Sequence, residues 1–322
     1  MENVLITAPT LQDIEEAHVR IQPHVHRTPI LTSENIDEIT GCKIFFKCEN
    51  FQKVGAFKAR GGINTILSID KSKLANGVAT HSSGNHAQGV AYAAKIAGIK
   101  AYIVMPNNAS VVKKNAVLGY GAEIIECEPT LAARERTLSD VIEKTGAELI
   151  HPYNDYRIIC GQATAAKELI EDLEITLDYM LAPIGGGGLI SGTALTTKYM
   201  SPTTKVIGCE PAAADDAYRS FKAGKLCTND APPKTMADGL LTNLGEKNFE
   251  IIASTVSDIM TVKEAEILAA MRLVWERMKI IIEPSGAVPL AAVMKNKAFY
   301  KNKKVGIIIS GGNVDLDKFF NH

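Results

Sequence analysis

Apolar and polar positions alternate with two different periods along the chain. Between residues 78 and 151, short apolar runs are separated by longer amphipathic segments in which apolar positions recur every three or four residues. The runs predict strands at 78–81, 101–105, 122–127 and 148–151, and the segments between them predict helices at 85–97, 110–118 and 131–145. Because strands that alternate with helices form parallel sheets, residues 78–155 are predicted to fold as a small inserted domain.

The flanking parts of the chain carry the same two patterns. A capped helix begins after Thr10, and further helices are predicted at 32–40, 58–69, 157–173, 189–199, 262–278 and 285–294. Buried strands are predicted at 43–48, 179–184, 205–209 and 304–309. Residues 1–77 and 156–322 would therefore form a larger domain, and the fold class is a two-domain α/β protein with parallel sheets flanked by helices.

Composition narrows the functional classes. The 322 residues include 35 basic and 36 acidic side chains, so the net charge of -1 does not favour nucleic acid or an anionic membrane as a partner. No signal sequence and no apolar run of the ~18 residues that span a bilayer is visible, which predicts a cytoplasmic protein. The six cysteines show no Cys-x-x-Cys spacing, so neither a zinc site nor a disulfide framework is indicated.

One lysine stands in an unusual environment. Lys58 follows the apolar run 44–46 and a Gly-Ala-Phe turn, and it enters a predicted helix. Partial removal from water disfavours the ammonium form and lowers the pKa towards a nucleophilic amine, which can form a Schiff base with an aldehyde. The alternative is a surface lysine with a partly covered stem, which is the usual state of a lysine. A second, independent signal is needed to decide between them.

A run of four glycines supplies that signal. It comprises Gly185, Gly186, Gly187 and Gly188, and it lies between a buried strand and a helix. Backbone N–H groups at such a position can converge on a phosphate without obstruction by side chains. The run matches neither the G-x-G-x-x-G dinucleotide pattern nor a Walker A motif, and the structural alternative is a tight turn for close packing.

Two further loops follow predicted strands. Residues 82–86, Ser-Ser-Gly-Asn-His, offer hydroxyl and N–H donors at a helix start, which suits a carboxylate, although the loop could also be a simple helix cap. Residues 310–313, Ser-Gly-Gly-Asn, follow the last strand. Open α/β sheets bind ligands at the carboxyl ends of their strands, so these loops and Lys58 are expected to converge on one site.

Together these segments resemble the pyridoxal-phosphate enzymes of the tryptophan-synthase-β-like fold, fold type II, and among them the serine racemase and serine/threonine dehydratase family. The resemblance is carried, in this order, by Gly-Ala-Phe-Lys-Ala-Arg-Gly around Lys58, by residues 82–86, by the glycine run and by Ser-Gly-Gly-Asn-Val-Asp at 310–315. It covers nearly the whole chain.

The resemblance implies roles for the residues of these motifs. Lys58 would hold pyridoxal phosphate covalently, Phe57 would lie beside the ring, Asn85 would bond the ring hydroxyl, and the four glycines would bind the phosphate. Ser310 would face the pyridine nitrogen. A neutral hydroxyl does not hold that nitrogen protonated, so the ring is a milder electron sink and transamination is discouraged.

The resemblance also implies how substrate is handled. Lys58 would remove the α-proton, after which either the β-hydroxyl is lost, giving a keto acid and ammonia, or the opposite face is reprotonated by Ser83, giving the other enantiomer. The substrate-binding residues would be Ser82, Ser83, Asn85, His86, Arg134 and Thr242. Arg134 could equally be a solvated helix residue. Thr242 replaces a serine and Leu241 replaces a lysine of the family pattern, so the preferred substrate side chain stays open.

A cation site and a dimer are further expectations. Glu210 and Asp216 are six residues apart with backbone carbonyls between them, which suits a hard cation such as Mg²⁺ or Ca²⁺, although a pair of surface acids is usually just solvated. The resemblance implies a site for Mg²⁺, Ca²⁺ or Mn²⁺ at Glu210, Asp216 and the Ala214 carbonyl, as a structural or activating ion. The resemblance implies a homodimer. It also suggests ATP as an activator, although Glu34 and Val54 depart from the pattern at that site.

The sequence thus predicts a serine racemase activity combined with β-elimination. The alternatives are an L-threo-3-hydroxyaspartate or threonine/serine ammonia-lyase with little racemisation, a nucleotide-binding α/β protein, or a binding protein without turnover.

Overall fold

The computed structural model describes residues 7–109 and 111–316. Its α-helices are α1 Leu11–Ile21, α2 Glu34–Thr40, α3 Lys58–Ser68, α4 Asn85–Ala97, α5 Val111–Gly119, α6 Leu131–Thr145, α7 Tyr156–Asp172, α8 Gly188–Met200, α9 Asp216–Ala223, α10 Glu246–Thr255, α11 Glu264–Met278, α12 Pro284–Lys295 and α13 Lys297–Tyr300. Its strands are β1 Ile30–Leu31, β2 Lys43–Cys48, β3 Val78–His81, β4 Ala101–Pro106, β5 Glu123–Cys127, β6 Glu148–Leu149, β7 Tyr179–Pro183, β8 Lys205–Pro211, β9 Asp258–Val262 and β10 Lys304–Ile309.

The strands form two sheets. A six-stranded sheet has the order β1-β2-β10-β7-β8-β9, in which only the pair β1 and β2 is antiparallel. A four-stranded parallel sheet has the order β5-β4-β3-β6 and uses the strands predicted between residues 78 and 151. The α/β fold class with parallel sheets flanked by helices is thereby confirmed. The division into domains at residues 77 and 156 stays a prediction.

Several elements differ from the sequence-based expectations. The strand β9 and the helices α9 and α10 were not predicted, and β6 is shorter than the run 148–151. The helix predicted from residue 262 begins at Glu264, because Val262 pairs with Pro211 at the end of β9. β9 lies at a sheet edge and only two of its five residues are buried, so it lacks a strong apolar signal. The predicted start of α5, Ser110, lies outside the described residues.

The strands of the large sheet bury both faces. Successive residues such as Phe45 and Phe46, or Ile307 and Ile308, belong to apolar clusters on opposite sides of the sheet. Strands covered by helices on both faces read as continuous apolar runs, which explains why they could be predicted. Among the described residues, no helix combines the length and apolar character needed to cross a membrane.

Glycines allow four helices to pack at backbone distance. A Cβ at Gly62 in α3 would lie 2.9 Å from the carbonyl oxygen of Gly89 in α4, and one at Gly161 in α7 would lie 2.6 Å from the carbonyl oxygen of Arg60 in α3. A Cβ at Gly192 in α8 would lie 2.7 Å from the Ala163 nitrogen in α7. The order α4, α3, α7, α8 thus brings together the starts of three helices, at Asn85, Lys58 and Gly188.

A buried ion network holds α3 to the rest of the core. The guanidinium of Arg60 donates to the carboxylates of Glu49 and Glu168, at 2.7 Å for Nε to Glu49 Oε2 and 2.7 Å for Nη2 to Glu168 Oε2. The Lys47 amine donates to the same Glu168 oxygen at 2.7 Å. All four side chains are at most 2% exposed. Two positive and two negative charges therefore compensate one another without water.

Candidate active site

Lys58 occupies the first position of α3. The turn before it is tied to the loop after β10, because Phe57 N donates to the Ser310 carbonyl at 3.0 Å and Gly312 N donates to the Gly55 carbonyl at 2.9 Å. The Lys58 amine donates to the Pro152 carbonyl at 2.7 Å and lies 5.3 Å from the centre of the Phe57 ring. Burial lowers the pKa of Lys58 to about 8. The amine is consequently far easier to deprotonate than that of a surface lysine.

The glycine run forms a cradle at the start of α8. Gly187 has a φ of +96°, a conformation that side chains other than glycine rarely adopt. A Cβ at Gly186 would lie 2.2 Å from the Tyr153 ring, and a Cβ at Gly187 would lie 2.7 Å from Leu244 and from Asn248. The first N–H groups of α8 have no acceptor within the helix, so they can donate hydrogen bonds to a phosphate.

Asn85 is fixed by two residues from distant segments. Its amide nitrogen donates to both carboxylate oxygens of Glu283, at 2.9 and 3.0 Å, and its amide oxygen accepts from Asn313 at 2.9 Å. Burial, followed by the charge of Asp238, raises the pKa of Glu283 to about 7. The Asn85 amide is therefore held in one orientation at the start of α4.

His86 and Ser310 each present a buried polar atom to the site. His86 Nε2 lies 3.3 Å from the Ile150 carbonyl, which makes Nε2 the protonated nitrogen. Burial, followed by the positive charge of Lys58, holds the pKa of His86 well below its ordinary value. His86 Nδ1 and Ser310 Oγ are buried without a hydrogen-bond partner among the described residues. Buried polar atoms of this kind normally have a partner, so both fit a ligand.

The remaining predicted substrate residues lie around this cleft. Ser82 Oγ accepts from Gly84 N at 3.2 Å, and Ser83 is half-buried in the same loop between β3 and α4. Arg134 is half-buried on α6, with its Nε 3.4 Å from the Thr130 carbonyl, and its charge helps lower the pKa of His81. Thr242 is exposed. The substrate roles of these residues stay predictions.

The predicted cation site brings two buried carboxylates together. Glu210 accepts N–H bonds from Ala217 and Tyr218 at 3.2 and 2.9 Å, and Asp216 accepts from Asn229 and Leu244 at 2.8 and 2.7 Å. Burial, followed by the charge of Asp216, raises the pKa of Glu210. A cation would relieve the repulsion between the two carboxylates. Ala214, whose carbonyl is the third predicted ligand, is also buried.

Within the described parts of the chain, no group of three or more His, Cys, Asp and Glu side chains forms a metal site. The cation at Glu210 and Asp216 therefore remains a prediction.

Some residues of the site were not found from the sequence. Glu283, Tyr153, Asn248 and His151 all contact the motif residues or one another. Glu283 alone left a local signal, because it is an acid directly after the apolar run 280–282. The others act through contacts that only the fold creates.

Comparisons with known proteins agree with this geometry. A family model described as pyridoxal-phosphate dependent enzyme matches residues 21–311. The chain is 53% identical over 310 residues to a beta-hydroxyaspartate dehydratase from Paracoccus denitrificans, covering 96% of this chain and 98% of that protein. It is 51% identical over 310 residues to the serine racemase from Dictyostelium discoideum, covering 95% of each.

Solved structures show the same relationship. The crystal structure of serine racemase from Dictyostelium discoideum has a TM-score of 0.90 at 50% identity, covering 95% of this chain and 99% of that one. The structure of maize serine racemase has a TM-score of 0.94 at 44% identity, covering 98% of this chain and 96% of that one. A threonine deaminase from the organism abbreviated T.th. has a TM-score of 0.91 at 45% identity, covering 95% of this chain and 99% of that one.

The site matches the parts of pyridoxal phosphate one by one. The Lys58 amine suits the aldehyde, the glycine cradle suits the phosphate, and the unpartnered Ser310 hydroxyl suits the pyridine nitrogen. On this geometry and the family match, the chain belongs to the pyridoxal-phosphate dependent enzymes of fold type II.

Proposed function

We propose that this chain is a pyridoxal-phosphate dependent serine racemase that interconverts L- and D-serine and also eliminates water from serine to give pyruvate and ammonia. The observation that carries the proposal is the Lys58 amine, which donates to the Pro152 carbonyl and whose pKa burial lowers to about 8. The Lys58 backbone packs against α4, the helix that follows the hydroxyl-bearing loop 82–86, since a Cβ at Gly89 would lie 2.8 Å from the Lys58 carbonyl oxygen. A base and a hydroxyl acid in one cleft are what two-sided proton transfer at an α-carbon requires.

Each residue has a part in this chemistry. Bound pyridoxal phosphate supplies an electron sink that acidifies the substrate α-proton. Lys58, with its pKa of about 8, accepts that proton near neutral pH. Ser83 donates a proton to the opposite face. The substrate carboxylate is held by the Ser82 hydroxyl and by the backbone N–H groups of Asn85 and His86 at the start of α4.

Ser310 supports racemisation over transamination. Its hydroxyl is neutral and buried, so it offers the ring nitrogen a hydrogen bond without the negative charge that would keep this nitrogen protonated. The substrate electrons are therefore less delocalised and the α-carbon is more readily reprotonated.

A second candidate is favoured by one observation. The beta-hydroxyaspartate dehydratase is 53% identical to this chain, and Arg134 provides a cation near the cleft for a second carboxylate. An ammonia-lyase acting on L-threo-3-hydroxyaspartate or on threonine, with little racemisation, is therefore the alternative. Both candidates act on β-hydroxy amino acids.

We also propose the finer features that the family resemblance implies. A divalent cation, Mg²⁺, Ca²⁺ or Mn²⁺, would bind Glu210, Asp216 and the Ala214 carbonyl, where like charges are buried together. The chain would act as a cytoplasmic homodimer, and ATP would be tested as an activator.

Product analysis tests the main proposal. The purified protein is incubated with L-serine, pyridoxal phosphate and Mg²⁺, and D-serine and pyruvate are quantified in the same sample. Ser83→Ala should abolish D-serine formation but retain pyruvate, since only reprotonation needs the second face. Ser254→Ala, on the outer surface of α10, serves as the control and should change neither product.

Other outcomes redirect the assignment. Pyruvate without D-serine in the wild type would favour the ammonia-lyase, to be tested with 3-hydroxyaspartate and threonine. Absence of both products would refute the serine proposal. Borohydride reduction followed by peptide mass analysis should find the cofactor on Lys58, and its absence there would refute the assignment of Lys58 as the cofactor lysine.

A further inference from the structure

The segment of residues 150–155 joins β6 to α7 and contacts both the lysine and the glycine run. The carbonyl of Pro152 accepts a hydrogen bond from the Lys58 amine at 2.7 Å. The ring of the next residue, Tyr153, packs against the glycine run, where a Cβ at Gly186 would lie 2.2 Å from a ring carbon. The conformation of this short segment therefore decides where the Lys58 amine is held.

His151 fixes this segment through one ring nitrogen. Its Nδ1 accepts the backbone N–H groups of Tyr153 and Asn154, at 3.2 and 2.9 Å. Its ring also packs edge-on against the Tyr153 ring, with 4.8 Å between the ring centres. Backbone N–H groups in a half-buried loop need an acceptor, and one imidazole supplies it here for two consecutive residues.

The bond to Tyr153 also determines the direction of the Pro152 carbonyl. The Pro152 C=O and the Tyr153 N–H belong to the same peptide unit, which is planar and trans, so the two groups point in opposite directions. His151 Nδ1 holds the N–H on one side of this unit, and the Lys58 amine donates to the C=O on the other side. A rotation of the unit would break both hydrogen bonds, so the position of the Lys58 amine is coupled to His151 through one rigid group.

Only a neutral imidazole can accept these bonds, because a protonated Nδ1 has no lone pair to offer. Burial, followed by the positive charge of His81, lowers the pKa of His151 to about 4. The charged or titratable side chains that act on His151 are His81, His86, Lys58, Lys247 and Asp155. Among them Asp155 alone favours the protonated form. At neutral pH the proton is therefore on Nε2, and the Nδ1 lone pair is available.

We propose that His151 is a positioning residue for the active-site lysine: its Nδ1 fixes the peptide unit between Pro152 and Tyr153, and the Pro152 carbonyl directs the free Lys58 amine. The inference rests on the proposed function, in which this amine removes the substrate α-proton. An amine that donates one N–H to a fixed carbonyl has its lone pair directed elsewhere, and the ammonium formed by proton removal keeps the same acceptor. His151 thus acts on the reaction through Lys58 rather than by contact with the substrate.

Two substitutions separate the acceptor from the ring. His151→Phe keeps a ring against Tyr153 and removes the acceptor, whereas His151→Asn keeps an acceptor, because an Asn side chain can bond the N–H two residues further on. In the cofactor-loaded protein, loss of deuterium from α-deuterated L-serine is followed by NMR, and serine binding is read from the change in cofactor absorption. His151→Phe should slow deuterium loss roughly ten- to hundredfold, the cost of a misplaced catalytic group, while serine binding changes by less than about twofold.

Two further variants complete the comparison. His151→Asn should recover most of the rate, since it restores the bond to the Tyr153 N–H. His24→Phe is the matched control and should change neither rate nor binding, because His24 forms its hydrogen bond within the described residues through its backbone carbonyl and not its ring. Equal deuterium loss by wild type and His151→Phe would overturn the proposal. A slower rate that His151→Asn does not restore, or that serine binding follows in step, would do the same.

The protonation state of His151 gives a test that needs no turnover. Nitrogen-15 NMR of the cofactor-loaded protein should find Nδ1 unprotonated down to about pH 5, and a protonated Nδ1 at neutral pH would overturn the proposal. Failure of the proposed function looks different, because the wild type would then remove deuterium from none of serine, threonine and 3-hydroxyaspartate. In that case the nitrogen spectrum still decides, together with the protection of the Tyr153 and Asn154 amides from hydrogen exchange, which His151→Phe should remove.

Discussion

Glu283 is a carboxylic acid buried at the centre of the site. Both of its oxygens accept from the Asn85 amide, and its Oε1 lies 2.9 Å from the place that a Cβ on Gly311 would occupy. The residue thus joins the loop that begins α4 to the loop that follows β10. Because burial disfavours its charge, the protonation of Glu283 couples the stability of this junction to pH.

The pH dependence follows from the direction of the pKa shift. The folded pKa of about 7 lies above the ordinary value of 4.5, so the folded protein binds the proton more tightly than the unfolded chain. The resulting stability is fully present below pH ~4.5 and is lost as pH rises through about 7. Relative to Glu283→Gln, the wild type should therefore lose up to ~3 kcal/mol of unfolding free energy between pH 5 and pH 8, measured by urea denaturation. Glu143→Gln, on the exposed face of α6, is the control, and an unchanged difference between wild type and Glu283→Gln across this range would contradict the expectation.

At the scale of elements, the site depends on where helices begin. The helices α3, α4 and α8 start at Lys58, Asn85 and Gly188, and glycine contacts with one another or with α7 set how closely they pack. Backbone N–H groups at helix starts bind anions, so close packing concentrates these donors around the proposed positions of the cofactor phosphate and the substrate carboxylate. The cradle tolerates little added volume at Gly186, because a Cβ there would overlap the Tyr153 ring.

A single methyl group should disrupt the cradle. In Gly186→Ala the new Cβ would overlap the Tyr153 ring, at 2.2 Å, and either the ring or the loop must move. We expect at least a roughly tenfold loss of cofactor affinity, measured by the absorption of bound pyridoxal phosphate after dialysis. Gly119→Ala is the matched control, because a Cβ there meets no atom within 4 Å. Full cofactor retention by Gly186→Ala would argue against the glycine run as the phosphate site.

At the scale of the whole molecule, the buried ion network connects α3, the helix that begins at Lys58, to the strand β2 and the helix α7. Arg60 lies two residues after Lys58, Lys47 comes from β2, and Glu168 comes from α7. Charges without water are tolerated only while their partners are present. The network therefore favours a single packing of α3, and hence a single position of Lys58.

Loss of the Glu168 carboxylate should lower the stability of the folded protein. Glu168→Gln leaves two buried cations opposite the single acid Glu49, and we expect a destabilisation of about 3–5 kcal/mol. Glu171→Gln on the same helix is the matched control, since Glu171 is 32% exposed and its ion pairs should contribute less than about 1 kcal/mol. Thermal or chemical denaturation of both variants measures the difference. A similar, small effect for the two substitutions would show that the network can rearrange.

Many elements of this protein could be predicted from its sequence alone. Buried strands such as Lys43–Cys48 and Lys304–Ile309 are continuous apolar runs, and the glycine run and Lys58 stand out because they break the local pattern of their neighbours. Edge elements such as Asp258–Val262 were missed, because a half-exposed strand carries few apolar residues and its pairing partner is distant in sequence. Local signals therefore identify elements and motifs wherever burial is complete.

The sequence by itself determined the fold class and the order of the loops that follow the strands, and it predicted Lys58 as the cofactor lysine, because each depends on residues that are close together in the chain. Only the tertiary structure decided that Glu283 and Asn313 orient Asn85, and that the Tyr153 ring packs against Gly186 in the glycine run. These contacts join residues up to 228 positions apart, as between Asn85 and Asn313. No local propensity encodes such pairs, since they arise from the packing of the two sheets and of the helices between them.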